Sequence, residues 1–202
     1  MTRRTVLVLL GAAVIVTIGS AAWLIGRRPV RTFASQTTVL SPPMQAAEFA
    51  LESADGPVTL RDLRGRHVVL FFGYSFCPDV CPLTMQRLDR ALDLLEEDAD
   101  RVQVVMITVD PERDTPARMR QYVSQFDPSF LGLSGSEEAV HKVATDYGIF
   151  HAKVEREDGG PYTMDHTATV LVLTDTGELV LLWPHGMEAM TMASDLRTLL
   201  GG

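Results

Sequence analysis

Cys77 and Cys81 are the only two cysteines in a chain of 202 residues. Both stand in Phe71-Phe72-Gly73-Tyr74-Ser75-Phe76-Cys77-Pro78-Asp79-Val80-Cys81-Pro82, directly after an apolar run. A stapling disulfide gains stability by closing a longer loop, and a buried structural thiol needs no partner. Two thiols four positions apart at the end of a strand therefore read as a working pair. Three jobs suit it: reversible disulfide chemistry, binding of a soft metal through two thiolates, or both in turn.

Pro78 and Pro82 bracket the pair. Neither donates a backbone hydrogen bond, so each fits a loop or a first helical turn and neither fits a helix interior. The expected arrangement is a tight loop from Cys77 to Cys81, with a helix beginning near Pro82 or Leu83. The positive end of that helix dipole favours thiolate over thiol, which serves a nucleophile and a metal ligand alike. Two thiolates form a soft set suited to Cu(I) or zinc, and a third ligand is then to be sought among His67, His141, His151, His166 and His185.

The elements that must position these groups follow from periodicity. Phe49-Ala50-Leu51 and Val58-Thr59-Leu60 flank Asp55-Gly56-Pro57 and predict a hairpin. His67-Val68-Val69-Leu70-Phe71-Phe72 reads as a strand buried on both faces. Residues 83–97 carry a helical apolar face at Leu88, Ala91, Leu92 and Leu95. A second buried strand spans residues 102–109, and Asp114-Thr115-Pro116 opens a helix reaching about Phe126. Ser136 with Glu137 and Glu138 caps another helix, to about Tyr147. Residues 167–173, a turn at Asp175-Thr176-Gly177 and residues 178–183 predict an antiparallel hairpin, followed by a last helix.

This order of elements is that of thioredoxin: an α/β fold with a central mixed sheet flanked by helices, here with an N-terminal hairpin. It places the cysteines at the carboxyl end of a core strand, the edge where α/β sheets do chemistry. Thioredoxin-type oxidoreductases have two residues between their cysteines, and this chain has three. Three residues still permit a disulfide but also leave freedom to set two sulfurs around one ion. His166 lies just before the 167–173 strand, where a thioredoxin-type oxidoreductase places a cis-proline facing the cysteine loop. Position therefore marks His166 above the other four histidines.

The F-F-G-Y-x-x-C-P-D-V-C-P stretch, Val109-Asp110-Pro111-Glu112-Arg113-Asp114-Thr115-Pro116 and Tyr162-x-x-Asp165-His166 together resemble the Sco/SenC family, in order and spacing, from about Phe49 to Leu200. That family comprises membrane-anchored, thioredoxin-like copper-binding proteins that help assemble the dinuclear copper centre of cytochrome c oxidase. The resemblance implies Cys77, Cys81 and His166 as ligands for Cu(I) and/or Cu(II). It implies the copper-bearing subunit of the oxidase as acceptor, with other copper chaperones or thioredoxin-like reductants as further partners. One departure is Phe76, where relatives often carry a histidine or another polar residue; it makes the mouth of the site more apolar.

Other residues carry weaker signals. Asp79, between the cysteines, either tunes the site or is simply solvated. Asp110 ends a strand on the same edge, although Asp-Pro is also an ordinary turn opener. Asp165 is expected to point away from its neighbour His166, since adjacent residues of an extended chain alternate. Met187, Met190 and Met192, with His185, could form a methionine copper site, but methionine is a common core filler and that is the preferred reading.

Residues 5–26 contain no charge, and a helix of that length reaches roughly 33 Å, enough to cross a bilayer's hydrocarbon core. The expectation is an uncleaved anchor; a cleavable signal peptide is its rival. Arginines flank both ends (Arg3 and Arg4; Arg27, Arg28 and Arg31), so charge gives no orientation. The simpler topology puts the N-terminus inside and the domain on the periplasmic face of a bacterial inner membrane. The division is then an anchor at 1–31, a polar, Pro-containing tether at 32–47, and a thioredoxin-like domain at 48–202. Beyond the anchor, 13 Lys and Arg face 26 Asp and Glu. That balance argues against nucleic acid and favours cations or a basic protein surface.

Two further functions compete with a metallochaperone. A thiol–disulfide reductase keeping acceptor cysteines reduced needs the cysteines but not His166. A peroxiredoxin-like peroxidase normally has Thr or Ser three residues before the attacking cysteine, and Tyr74 stands there instead.

Overall fold

The computed structural model describes residues 32–201. The apolar segment 5–26 expected as an anchor lies outside them, and among the described residues no helix is long and apolar enough to cross a membrane.

Strand β4 (His67–Gly73) and strand β5 (Val102–Thr108) are buried at every position, which is why their sequences run apolar without alternation. They pair in parallel, with Gly73 in register with Thr108. Strand β9 (Val170–Leu173), also wholly buried, pairs antiparallel to β4 on the other side, with Val170 opposite Phe71. The carboxyl ends of β4 and β5 and the start of β9 therefore share one edge of the sheet. Strand β1 (Thr38–Gln45), β10 (Glu178–Trp183) and β6 (Leu131–Leu133) complete six strands in the order β1-β10-β9-β4-β5-β6. The mixed sheet and its helices are thioredoxin-like, as expected.

The residues expected as a tether are in part structured. Thr38–Gln45 is an edge strand, antiparallel to β10 with its register broken between Val39 and Met44. Ser41-Pro42-Pro43 sits inside that irregularity. An edge strand with a bulge is where proline is tolerated, because no ladder donor is lost there; the prolines that signalled a tether are compatible with a strand at this one place.

The hairpin of β2 (Ala50–Ser53) and β3 (Gly56–Thr59) is present as expected. Helix α1 (Val80–Leu95) follows β4 and packs along α4 (Ala189–Leu200). Helix α2 (Pro116–Val123) packs on β6 and β2. Its N-cap is Thr115, whose hydroxyl accepts from the Arg118 N–H at 3.3 Å, leaving Asp114 free for another task. Helix α3 (Glu137–Asp146) is capped by Ser136, which accepts from Ala139 N–H at 3.2 Å. Between α3 and β9 lies a two-stranded antiparallel ribbon of β7 (His151–Val154) and β8 (Thr163–His166).

Candidate metal centre

Three stretches of chain meet at the shared sheet edge. The first leaves β4 at Gly73. An added Cβ there would stand 2.9 Å from Cys81 Sγ and 2.8 Å from the Phe71 ring, so only glycine lets the strand end lie against the thiol. Tyr74 is buried, and Ser75 is held from below by Asp114, which is fully buried. The Asp114 carboxylate accepts from Ser75 N–H at 2.9 Å, Ser75 Oγ at 2.5 Å and Thr108 Oγ1 at 2.8 Å. The cysteine loop is thereby tied to the end of β5.

Helix α1 starts at Val80, two to three residues earlier than expected, with Asp79 as N-cap. Pro82 is its third residue. The first-turn N–H groups of a helix have no acceptor within it, so proline loses nothing there. Cys81 is consequently inside the first turn rather than in the loop, and it is fully buried, while Cys77 remains half-buried. The Cys81 backbone N–H donates to Cys77 Sγ at 3.3 Å.

His166, at the end of β8, supplies the third group. Its Nδ1 lies 3.1 Å from the Thr167 carbonyl oxygen, a contact that assigns the proton to Nδ1 and leaves the lone pair on Nε2. That Nε2 is 3.5 Å from Cys81 Sγ. Tyr74 and Phe71 hold the ring edge-on, with centroids at 5.9 and 6.1 Å. The donor atoms of Cys77, Cys81 and His166 all lie within 4.8 Å of one another. Cys77 and His166 border an open cleft of about 530 Å³ with Tyr74, Phe150 and Met164 on its walls, while Cys81 lies buried behind them.

The two thiols are unequal. The Cys81 S–H donates to Cys77, and the backbone N–H groups of Cys81 and Asp79 add to it. Together they outweigh burial and bring the Cys77 pKa down to about 4. Cys81, acting as that donor and deeply buried beside the thiolate, is pushed far up. The metal-free centre thus holds one thiolate, one thiol and one imidazole lone pair. A soft cation entering it would displace the remaining proton from Cys81.

The secondary candidates divide. Asp110 is buried but engaged away from the sulfurs: Oδ2 accepts from Arg113 Nε at 2.5 Å and Oδ1 from the Tyr162 hydroxyl at 2.9 Å. Arg113 Nη1 donates to the Tyr162 carbonyl at 2.9 Å, joining the turn after β5 to the ribbon that carries His166. Asp165 is exposed; the Thr167 carbonyl, not Asp165, orients His166. Asp79 is exposed and makes no side-chain capping bond. Met187 and Met192 are core residues, whereas Met190 is 74% exposed, and this divides the proposed methionine set. His67 opens β4 at the opposite edge, and His185 is exposed beyond β10. Phe76, next to Cys77 in the chain, is exposed, with the guanidinium carbons of Arg113 and Arg118 at 4.6 and 4.1 Å from its ring centre.

Asp114, Arg113 and Tyr162 were not singled out as site supports from the sequence. The signal was present in the clustering of Asp110, Arg113 and Asp114 immediately after a buried strand, since charges beside a core strand must be paired.

Comparison with known proteins places this geometry among relatives. The family model described as SCO1/SenC matches residues 39–201. The chain is 34% identical to the mitochondrial protein SCO2 homolog of Bos taurus over 206 residues, covering 97% of this chain and 74% of that one. The solution structure of apo Sco1 from Thermus thermophilus is 42% identical, with a TM-score of 0.75 over 85% of this chain and 99% of that chain. The structure of Bradyrhizobium japonicum ScoI with copper bound is 40% identical, with a TM-score of 0.70 over 77% of this chain and 99% of that chain.

Proposed function

This chain belongs to the SCO1/SenC family, and from that premise we propose that it is a copper metallochaperone. Its cargo is held by Cys77 Sγ, Cys81 Sγ and His166 Nε2. It is passed by ligand exchange to the dinuclear copper centre of cytochrome c oxidase while that enzyme is assembled. The observation that carries the reading is the convergence of two sulfurs and one imidazole nitrogen, from two separate segments of the chain, within 4.8 Å. That donor set suits copper and disfavours magnesium or calcium. The likeness to a ScoI structure with copper bound supports the choice of metal.

The acceptor is the oxidase's copper-bearing subunit, as the family resemblance implies, and an open cleft with an aromatic rim suits transfer between two protein surfaces. Residues 5–26 anchor the chain in a bacterial inner membrane, with the domain in the periplasm; the 22 uncharged residues support that placement.

Copper titration of the reduced full-length chain tests the reading. One equivalent with thiolate-to-metal charge transfer, lost in Cys77→Ala and in His166→Ala, is the expected result. Retention of that equivalent in both variants would remove the ligand assignment.

A second activity is favoured by the inequality of the thiols. A half-buried Cys77 thiolate beside a buried Cys81 thiol matches an attacking and a resolving cysteine. Cys77 attacks one sulfur of an acceptor disulfide and expels the other as a thiolate. Cys81, losing its proton to solvent, then displaces the mixed disulfide. The acceptor leaves as a dithiol and this chain as the Cys77–Cys81 disulfide. His166→Ala separates the two activities, since disulfide exchange does not require the imidazole.

A further inference from the structure

His151 and His166 are register partners across the β7–β8 ribbon, and directly opposite residues of an antiparallel pair project from the same face. His166 belongs to the cysteine centre. His151 meets another histidine: the ring of His141, in the second turn of α3, stands with its centroid 5.3 Å away at an interplanar angle of 63°. Two imidazoles bound cis to one ion at about 2.0–2.1 Å have their centroids roughly 4.5 Å apart at the right angle of a tetragonal ion and roughly 5 Å apart at a tetrahedral angle. The observed spacing is within a small turn of the exposed His141 ring from that of a shared ligand pair.

One neighbour fits the same purpose. Glu137 lies one helical turn before His141, at the i, i+4 spacing that puts both on one face of α3. It lines the same cavity of about 570 Å³ as His151. Exposed itself, its carboxylate is free to move toward an ion between the rings.

We propose that His141 and His151 form a second metal site, taking a late divalent ion, Cu(II) foremost, through two neutral imidazoles. Glu137 is the available third ligand and water completes the shell. Imidazole and carboxylate donors suit Cu(II) where the cysteine centre suits a softer ion, and Cu(II) binds such donors most tightly in its row. The site is one ladder pair from His166, so an ion held here waits on the ribbon that carries the cysteine centre.

The test uses the full chain with Cys77→Ser, Cys81→Ser and His166→Ala, so its result does not depend on the first centre. Titration with Cu(II) chloride, followed by EPR and pulsed EPR, should show one equivalent coupled to two imidazole nitrogens. Adding His141→Ala or His151→Ala should weaken binding about tenfold or more, while His185→Ala at an exposed histidine elsewhere should leave it unchanged. His141 is exposed, so His141→Ala keeps the fold, which far-UV circular dichroism verifies. In the otherwise unaltered chain, Cu(II) beyond the first equivalent should broaden amide resonances around His141 and His151. Absence of a bound equivalent in the triple variant, or its persistence in His141→Ala, overturns the site.

Discussion

The backbone N–H of Cys81 donates to the sulfur of Cys77 at 3.3 Å, so the helix turn that buries one thiol stabilises the other as a thiolate. A difference in environment over four residues thereby gives the pair two chemical characters. Either metal entry or disulfide exchange begins at Cys77, because it is the charged and accessible member.

Alkylation of the reduced, metal-free chain reads this directly. The Cys77 pKa is brought down to about 4, so its thiolate persists above that pH and is lost as pH falls through it. The reaction with iodoacetamide should be nearly independent of pH between about 6 and 8 and fall below pH 4, whereas an ordinary thiol gains about tenfold per pH unit up to its pKa. Mass spectrometry should find the label on Cys77 and not on Cys81. A rate rising tenfold per unit through pH 7 would remove the thiolate assignment.

Gly73→Ala should damage the centre without touching a ligand. The new Cβ would stand 2.9 Å from Cys81 Sγ, 2.8 Å from the Phe71 ring and 3.0 Å from Met106 Cε, all at fully buried residues. Overpacking of this kind costs about 1–3 kcal/mol. Urea unfolding should register the loss, and copper affinity should drop with it because Cys81 is the atom displaced.

Much of this arrangement was legible in the sequence. The uninterrupted apolar run of β4 located the cysteine loop at the end of a buried strand, and the histidine preceding β9 was identifiable from its place in the order of elements. The early start of α1 was hidden because Pro82 reads as a helix boundary, although proline at the third helical position is as acceptable as at the first. Strand β6, only Leu131–Leu133, is too short to show a period. The β7–β8 ribbon lacks an alternating pattern because its ends serve His151 and His166 rather than the core. Strand β1 was concealed by two prolines that an edge position tolerates.

Asp114 is a residue whose importance only the fold reveals. Its carboxylate satisfies Ser75 and Thr108 together in a fully buried position. Asp114→Ala leaves those donors without a partner, and the expected cost is about 3 kcal/mol. Because Ser75 is two residues from Cys77, copper release from Asp114→Ala should also be faster. Unchanged stability by urea titration would contradict the role given to this carboxylate.

Arg113 holds the His166 ribbon from outside, with Nε on Asp110 and Nη1 on the Tyr162 carbonyl, and its guanidinium carbon 3.6 Å from the Tyr162 ring centre. Arg113→Lys keeps the charge but loses the planar fork that makes both bonds. Copper exchange measured by competition with a chelator should accelerate in Arg113→Lys and Arg113→Ala alike. Full rescue by lysine would show that charge alone suffices.

X-ray absorption spectroscopy of the reduced full-length chain loaded with one equivalent of copper tests the central claim most directly. Two sulfur scatterers and one imidazole nitrogen around the metal, with one sulfur lost in Cys81→Ser and the imidazole lost in His166→Ala, is the predicted result. A copper shell of nitrogen and oxygen alone, or one unaltered by His166→Ala, would contradict it.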